Sequence, residues 1–307
     1  MSDHLLRALV VDADLRAIAL TSTGLCREAI ERHGLSPSSG LALAEGLTTG
    51  LLLTFLHKDP LRVNLQLRCD GPLGGLVVDA SPQGGVRGYV MAGGLHFSDG
   101  EGPTLAPALG TGGTLNVLRQ MRGGQWYQGV VEIPERSVQG AALRYLQSSE
   151  QVDVALKVEV VMDSEGQVEA AGGVLFERLP DGNRAALSLM QERLASGLLR
   201  ESLRAQGGDR GASAGALLEV MLGGPEGKGG DNLQIFERLD VSFQCDCGLE
   251  RIQQMMEGLP TQDLVEMIDE DQGATITCEF CCTHYLLDQA ALQGILERRA
   301  DPRGGDA

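Results

Sequence analysis

The sequence predicts an α+β protein in three parts: an N-terminal mixed α/β core domain with a sizeable sheet, a helical linker and a small C-terminal domain. Residues 62–69 alternate strictly between apolar and polar side chains, which is typical of a half-buried antiparallel strand. A helix predicted at 184–206 would carry five apolar side chains on roughly one face: Leu187, Met190, Leu194, Leu198 and Leu203. Five of the seven cysteines lie at positions 245–282, in a final block with few large apolar side chains.

The composition narrows the choice of partners and of compartment. The hydrophobic fraction is 43% but aromatic residues make up only 4%, so we expect an aliphatic core. A net charge of -17 repels phosphate backbones and anionic lipids, which argues against nucleic acid or a membrane surface as partner. Asp12 and Asp14 interrupt any signal-peptide core, and no apolar run is long enough to span a membrane. We therefore expect a cytoplasmic protein, in which clustered cysteines are metal ligands or redox centres.

The core domain is predicted at residues 1–180, with strands and helices interleaved. Alternation and turn residues predict strands at 9–12, 16–21, 62–69, 75–80, 86–91, 114–121, 128–133, 155–162 and 168–179. Helices are predicted at 24–33, 41–57 and 137–147. Gly34 should end the first helix, because glycine readily adopts the left-handed conformation of a helix C-terminus. Ser137 should cap the third.

The linker is predicted at residues 181–239. Glycine supplies 11 of the 52 residues from 181 to 232, and helices are predicted at 184–206 and 213–222. Gly197 lies inside the first helix, where it costs about 1 kcal/mol relative to alanine. A segment with an apolar face but weak intrinsic helix propensity should be ordered only while it is docked against something.

The C-terminal domain is predicted at residues 240–307. Helices at 249–256, 262–268 and 289–299 and a hairpin at 275–287 offer only a marginal core, and such units usually need a metal or disulfides. The C-x-C pair Cys245 and Cys247 and the C-x-x-C pair Cys278 and Cys281 can supply four thiolates to one tetrahedral zinc ion (Zn²⁺) per chain. A closed four-sulfur site leaves no position for a substrate, so we do not expect an enzyme.

The same four thiolates could also be a redox switch. Zinc holds its cysteine ligands as thiolates, the form that reacts with peroxide and hypochlorite. Cys247 is placed to resolve a sulfenic acid on Cys245, and Cys281 one on Cys278. Such local disulfides cannot hold the two turns together as the metal does, so oxidation would unfold the domain. A permanent structural zinc site remains the alternative.

Several motifs along the chain join the cysteine pattern and the aromatic Tyr285. They are Asp70-Gly71-Pro72-Leu73-Gly74, Val86-Arg87-Gly88-Tyr89, Tyr127-Gln128-Gly129-Val130-Val131 and Ser149-Glu150-Gln151. In their order and spacing they resemble the core signatures of the redox-regulated heat-shock protein 33 chaperones, also called the 33-kilodalton chaperonin family. The resemblance covers essentially the whole chain.

The resemblance implies a redox-regulated, ATP-independent holdase chaperone. In that family the reduced, zinc-bound form is an inactive monomer. Oxidation forms disulfides among Cys245, Cys247, Cys278 and Cys281, zinc is released, and the C-terminal domain and linker unfold. The active homodimer binds unfolding client proteins and later passes them to ATP-dependent heat-shock chaperones.

Cys282 departs from the family pattern, and two other functions compete. Neighbours on a strand face opposite sides, so Cys282 is expected to face away from the metal, although it could compete as a resolving thiol or form an intermolecular bridge.

A static zinc-ribbon module for nucleic acid is opposed by the acidic charge. A thiol-disulfide oxidoreductase using Cys278 and Cys281 would need a helix after the motif, whereas residues 283–286 are β-like.

Overall fold

The computed structural model describes residues 2–57, 59, 62–100, 102–120, 123–133, 136–206, 213–223 and 232–300. The chain divides into two compact units, Met1–Gln244 and Cys245–Ala307. Helices and predominantly antiparallel sheets share the larger unit, which confirms the predicted α+β class. Within the described ranges, each helix is too short or too polar to cross a membrane.

The secondary-structure elements follow one another along both units. The strands are β1 (His4–Val10), β2 (Leu15–Thr21), β3 (Val63–Cys69), β4 (Gly75–Ala80), β5 (Gly85–Val90), β6 (Gly113–Gln120), β7 (Trp126–Glu132), β8 (Val154–Met162), β9 (Val168–Arg178), β10 (Leu233–Asp240), β11 (Ser242–Phe243), β12 (Gly273–Thr277) and β13 (His284–Asp288). The helices are α1 (Thr23–His33), α2 (Pro37–Thr54), α3 (Ala106–Leu109), α4 (Val138–Ser148), α5 (Arg184–Ala195), α6 (Leu198–Gln206), α7 (Ala214–Gly223), α8 (Leu249–Met256), α9 (Thr261–Asp269) and α10 (Gln289–Ala300).

The larger unit contains two sheets rather than one. Its five-stranded sheet has the order β10-β1-β2-β9-β8, and its six-stranded sheet has the order β11-β5-β4-β3-β6-β7. Helix α2 contacts strands of both sheets and is buried along nearly its whole length. Gly50 permits this close approach, because a Cβ atom there would lie only 2.8 Å from a Val78 methyl group. Two sheets around one apolar helix explain how an aliphatic core fills this unit.

Three helices of the predicted linker pack on one face of the five-stranded sheet. Their buried side chains and those of the sheet form one apolar cluster, referred to below as the linker cluster. Its members are Leu6, Ala8, Val10, Leu15, Ala17, Ala19, Ala155, Val161, Ala170, Val174, Phe176, Leu187, Met190, Leu194, Leu199, Leu203, Ala214, Leu217, Leu218 and Met221. Arg200 of α6 also donates to the carboxylate of Glu159 on β8 at 3.0 Å. The amphipathic face that the sequence predicted is thus docked in this structure.

The linker region differs from the prediction in two respects. The single helix expected at 184–206 is two helices, since Gly197 adopts a φ of 85° between α5 and α6. Leu233–Asp240, where no strand was predicted, forms β10 and pairs antiparallel with β1. The glycine-rich stretches at 207–212 and 224–231 lie outside the described residues. Whether residues 181–239 act as a linker stays a prediction.

The smaller unit has a core of its own. Helices α8, α9 and α10 pack with the β12–β13 hairpin, and α8 has the predicted bounds. The buried apolar residues of this core are Ile252, Met256, Leu264, Ile268, Leu287, Leu292 and Ile295. So few large side chains leave little apolar burial to offset the entropy of ordering the chain.

A buried carboxyl group in α2 makes the larger unit sensitive to pH. Glu45 accepts a hydrogen bond from the backbone N–H of Gln139 at 2.8 Å, and burial raises the pKa of Glu45 to about 7. Lys157 and Glu159 are the charged groups that also act on it. Because the folded state binds a proton that the unfolded state has released, stability should fall as pH rises from about 4.5 to 7, by roughly 3 kcal/mol in total.

We expect Glu45→Gln to remove this loss, since glutamine also accepts the Gln139 N–H and carries no charge. The measurement is urea unfolding at pH 5 and pH 8, followed by the fluorescence of Trp126, the one tryptophan in the chain. The exposed Glu31→Gln on α1 is the matched control and should keep the wild-type slope. An unchanged pH dependence in Glu45→Gln would contradict the assignment.

Candidate metal centre

Two short turns of the smaller unit carry the clustered cysteines. Cys245 and Cys247 precede Gly248, the N-cap residue of helix α8. Cys278 and Cys281 lie in the connection between β12 and β13. Two backbone hydrogen bonds close that connection: Cys278 N–H donates to Thr283 O at 3.0 Å, and Cys282 N–H donates to Cys278 O at 2.8 Å. The tight turn brings the two sulfurs of the C-x-x-C pair to one place.

The structure brings all four predicted ligands together. The sulfurs of Cys245, Cys247, Cys278 and Cys281 lie within 4.8 Å of one another. Across the two turns, Cys245 Sγ is 3.8 Å from Cys278 Sγ, and Cys247 Sγ is 3.2 Å from Cys281 Sγ. Four sulfurs bound at about 2.3 Å to one tetrahedral ion lie about 3.8 Å apart. The donor set and its spacing therefore fit a single metal ion, and the ligand role of each cysteine stays a prediction.

The thiols of the cluster differ in how readily they ionise. Burial and the neighbouring thiols raise the pKa of Cys247 to about 12, although a hydrogen bond from Tyr285 acts to lower it. Burial also acts to raise the pKa of Cys281, but hydrogen bonds with Thr283, Cys247 and Cys278 outweigh it and bring this pKa to about 7. Cys281 therefore forms a thiolate more easily than Cys247. A bound metal ion would hold both as thiolates.

Two hydroxyl groups touch the sulfurs, and sequence reasoning had not identified this role for either. The Tyr285 hydroxyl donates to Cys247 Sγ at 3.0 Å, and the Thr283 Oγ1 atom lies 3.2 Å from Cys281 Sγ. The hydrogen bond to Cys247 raises the pKa of Tyr285 to about 12, so the phenol keeps its proton. The available signal was spacing: Thr283 and Tyr285 are two residues apart at the start of a strand, so they share a face.

Cys282 was expected on a strand, but it lies in the turn between β12 and β13. It adopts a left-handed conformation with φ of 57° inside the turn, because its N–H must reach back to Cys278 O. The set of four mutually close sulfurs does not include Cys282. Burial and the adjacent Cys281 raise the pKa of the Cys282 thiol, which makes it a poorer nucleophile than a typical free cysteine.

We expect Cys282→Ser to leave metal binding and the response to oxidants unchanged, since its sulfur stands outside the cluster. The measurement is metal content per chain, together with the rate of metal release by peroxide. Cys278→Ser, which removes a member of the cluster from the same turn, is the matched control and should lose the metal. Reduced metal content in Cys282→Ser would show that a fifth sulfur takes part.

Comparison with known proteins places the chain in a family. The family model described as Hsp33 protein matches residues 3–288. The chain is 35% identical over 306 residues to the 33 kDa chaperonin of Synechococcus sp. (strain JA-3-3Ab), covering 98% of this chain and 92% of that protein. It is 30% identical over 303 residues to the 33 kDa chaperonin of Bacillus subtilis (strain 168), covering 96% and 99%.

A solved structure shows the same fold at lower sequence identity. The crystal structure of the 33 kDa chaperonin (heat shock protein 33 homolog) from Thermotoga maritima aligns with a TM-score of 0.80 at 21% identity. The alignment covers 98% of this chain and all of that one. With a family match along nearly its whole length and relatives of the same name at 30% identity or more, the chain belongs to the Hsp33 family.

Proposed function

We propose that this protein is an ATP-independent holdase chaperone that is inactive while its C-terminal cysteines bind zinc and is activated by oxidation. Membership of the Hsp33 family makes the chain a chaperone. The observation that carries the redox mechanism is the cluster of four sulfurs within 4.8 Å, drawn from two turns of a unit with a small core.

Zinc is the ion that the donor set favours. Four cysteine sulfurs close enough to share one ion form a closed site that suits zinc, and such ligation contributes on the order of 10 kcal/mol to the folding of small domains. When bound, zinc would keep all four sulfurs as thiolates. Cys245 and Cys247 would hold it from the turn before α8, and Cys278 and Cys281 from the turn after β12.

Oxidation would remove these ligands in two balanced steps. A thiolate attacks one oxygen of a peroxide, the S–O bond forms as the O–O bond breaks, and the sulfenic acid and hydroxide result. A second thiolate then attacks that sulfur, forming the S–S bond and releasing a second hydroxide, which takes up a proton to become water. Each disulfide consumes one peroxide, which is a two-electron oxidant, and removes two of the metal ligands. We propose the pairs Cys245–Cys247 and Cys278–Cys281, since each pair stays together when the two turns separate.

The loss of the metal would free an apolar client-binding surface. Without the ion, the described part of the smaller unit would depend on a core of seven buried apolar side chains and the partly buried ones packed against them. Helices α5, α6 and α7 cover one face of the five-stranded sheet, and their release would expose the linker cluster. We propose that this surface binds unfolded client proteins and that the oxidised chain forms a homodimer in the cytoplasm. ATP-dependent heat-shock chaperones would receive the clients when reducing conditions return.

Light scattering from a heat-aggregating client protein tests this function. The reduced protein should contain about one zinc per chain and leave aggregation unaffected. After peroxide treatment it should release the zinc and suppress scattering without ATP. Equal suppression by the reduced protein, or zinc that survives oxidation, would contradict the switch and favour a permanent structural site.

A thiol-disulfide oxidoreductase is the weaker candidate. Such enzymes place a C-x-x-C pair at the N-terminus of a helix, whose dipole stabilises the attacking thiolate. In this structure the strand β13 (His284–Asp288) follows Cys281 instead. A zinc-ribbon module for nucleic acid is opposed by the net charge of -17. We therefore propose no catalytic activity.

A further inference from the structure

One side chain of the β12–β13 hairpin joins the two cysteine turns without being a ligand. Tyr285 lies on β13, in the same hairpin as Cys278 and Cys281, and its hydroxyl donates to the sulfur of Cys247 at 3.0 Å. The body of Tyr285 packs against the core of the smaller unit. The hydroxyl is therefore held in place by a packed ring and reaches a sulfur that belongs to the opposite turn.

We propose that Tyr285 is a positioning residue that slows the oxidation of Cys247 and thereby sets how much oxidant is needed to open the metal centre. The proposal rests on the oxidation-activated function given above. Tyr285 adjusts the oxidant threshold of the switch, whereas the four cysteines form the switch.

The physical reason is competition for one electron pair. In the first oxidation step a lone pair on sulfur attacks the peroxide oxygen, forming the S–O bond as the O–O bond breaks and hydroxide leaves. An O–H group that donates to the same sulfur stabilises the thiolate and withdraws that electron density. The logarithm of the attack rate falls by about half the logarithm of the factor by which the hydrogen bond favours the thiolate. A charge-assisted hydrogen bond should therefore slow attack roughly 3- to 10-fold.

The hydrogen bond has a second consequence for the order of events. Local disulfides within each pair do not connect the two turns, whereas the Tyr285 hydroxyl does. While it remains bonded to Cys247, it keeps the turns together after a first sulfur outside this contact is oxidised. Oxidation of Cys247 ends the contact, because the sulfur of a sulfenic acid or disulfide is a poor acceptor. Cys247 should therefore react late, and its reaction should coincide with release of the metal.

The test compares zinc release by hydrogen peroxide in full-length wild type and Tyr285→Phe, followed with a chromogenic chelator. Phenylalanine keeps the packed ring and removes only the hydroxyl. We expect about one zinc per chain in both proteins and release roughly 3- to 10-fold faster in the variant. Thr277→Val is the matched control: its hydroxyl contacts His284 Nδ1 at 2.8 Å in the same hairpin, and its loss should leave the rate at the wild-type value. Equal rates for wild type and Tyr285→Phe would overturn the proposal.

A measurement on the wild type alone covers the case in which the variant fails to bind zinc. Timed alkylation of the zinc-loaded protein with iodoacetamide, read by mass spectrometry, ranks the sulfurs by nucleophilicity. We expect Cys247 to be the last of the four to react, and Cys247 reacting first would overturn the role of Tyr285. Wild-type protein that keeps its zinc in peroxide would instead contradict the proposed function, and the alkylation order would still test the hydrogen bond.

Discussion

Cys278→Ser should unfold the C-terminal unit at room temperature, release helices α5, α6 and α7, and leave the two sheets of the N-terminal unit folded. A bound zinc ion would contribute on the order of 10 kcal/mol to such a domain, whereas a single core of this size supplies roughly 3–5 kcal/mol. Loss of one of four thiolates removes most of that contribution. Helices α8, α9 and α10 should melt, and circular dichroism should show the lost helix content in the full-length chain.

Two comparisons make this result specific. A chelator strong enough to strip the wild-type protein should produce the same spectrum as Cys278→Ser, and added zinc should restore only the wild type. Cys282→Ser, altered within the same turn, should match the untreated wild type. A folded, metal-free C-terminal unit in Cys278→Ser would mean that the small core is enough to keep the unit folded. The metal would then not control whether the unit unfolds.

Leu203→Asp should produce a chaperone that is active without oxidant. Leu203 is fully buried where α6 packs on the five-stranded sheet, and its methyl group would lie 3.2 Å from a Cβ atom placed at Gly172. Loss of a buried leucine costs about 2–5 kcal/mol, and a buried unpaired carboxylate costs several more. Helices α5 and α6 are interrupted at Gly197 and have little intrinsic stability to offset this destabilisation. Helix α6 should therefore undock and expose the linker cluster.

The measurement is light scattering from a heat-aggregating client with reduced, zinc-loaded Leu203→Asp. Leu189→Asp is the matched control, because Leu189 lies on the adjacent helix α5 with 41% of its surface exposed. It should remain inactive until oxidised. A reduced Leu203→Asp protein that has an undocked α6 and yet fails to hold clients would show that the covered surface is not the client site.

Local patterns in the sequence predicted the parts of this fold that depend on near neighbours. The alternation at 62–69 became strand β3, the helix at 249–256 formed with those bounds, and Gly34 ended α1 in the left-handed conformation. The four cysteines of the C-x-C and C-x-x-C pairs met as expected from their spacing. The strand, the helix and the helix end depend on residues within one or two turns of chain, and the cysteine pairs carry a spacing that is itself a metal-ligand signal.

Features that depend on distant partners were missed. Strand β10 pairs with β1 more than 220 positions away, and five of its eight side chains are exposed, so it shows little apolar alternation. The division of one expected sheet into two follows from how both pack around α2, which no local pattern reports. Cys282 was predicted on a strand. Its positive φ comes from a hydrogen bond of its N–H within the turn between β12 and β13, which forms only in the folded chain.

Hydrogen exchange of the linker helices tests whether a metal in the C-terminal unit keeps α5, α6 and α7 docked. Full-length zinc-loaded protein is treated with peroxide, and exchange in peptides covering 184–206 and 213–223 is compared with exchange in β8 and β9, which serve as the internal reference. We predict that the helices lose protection with the same time course as zinc release, while the strands stay protected. Helices that keep their protection after all the zinc has been released would contradict this role of the metal.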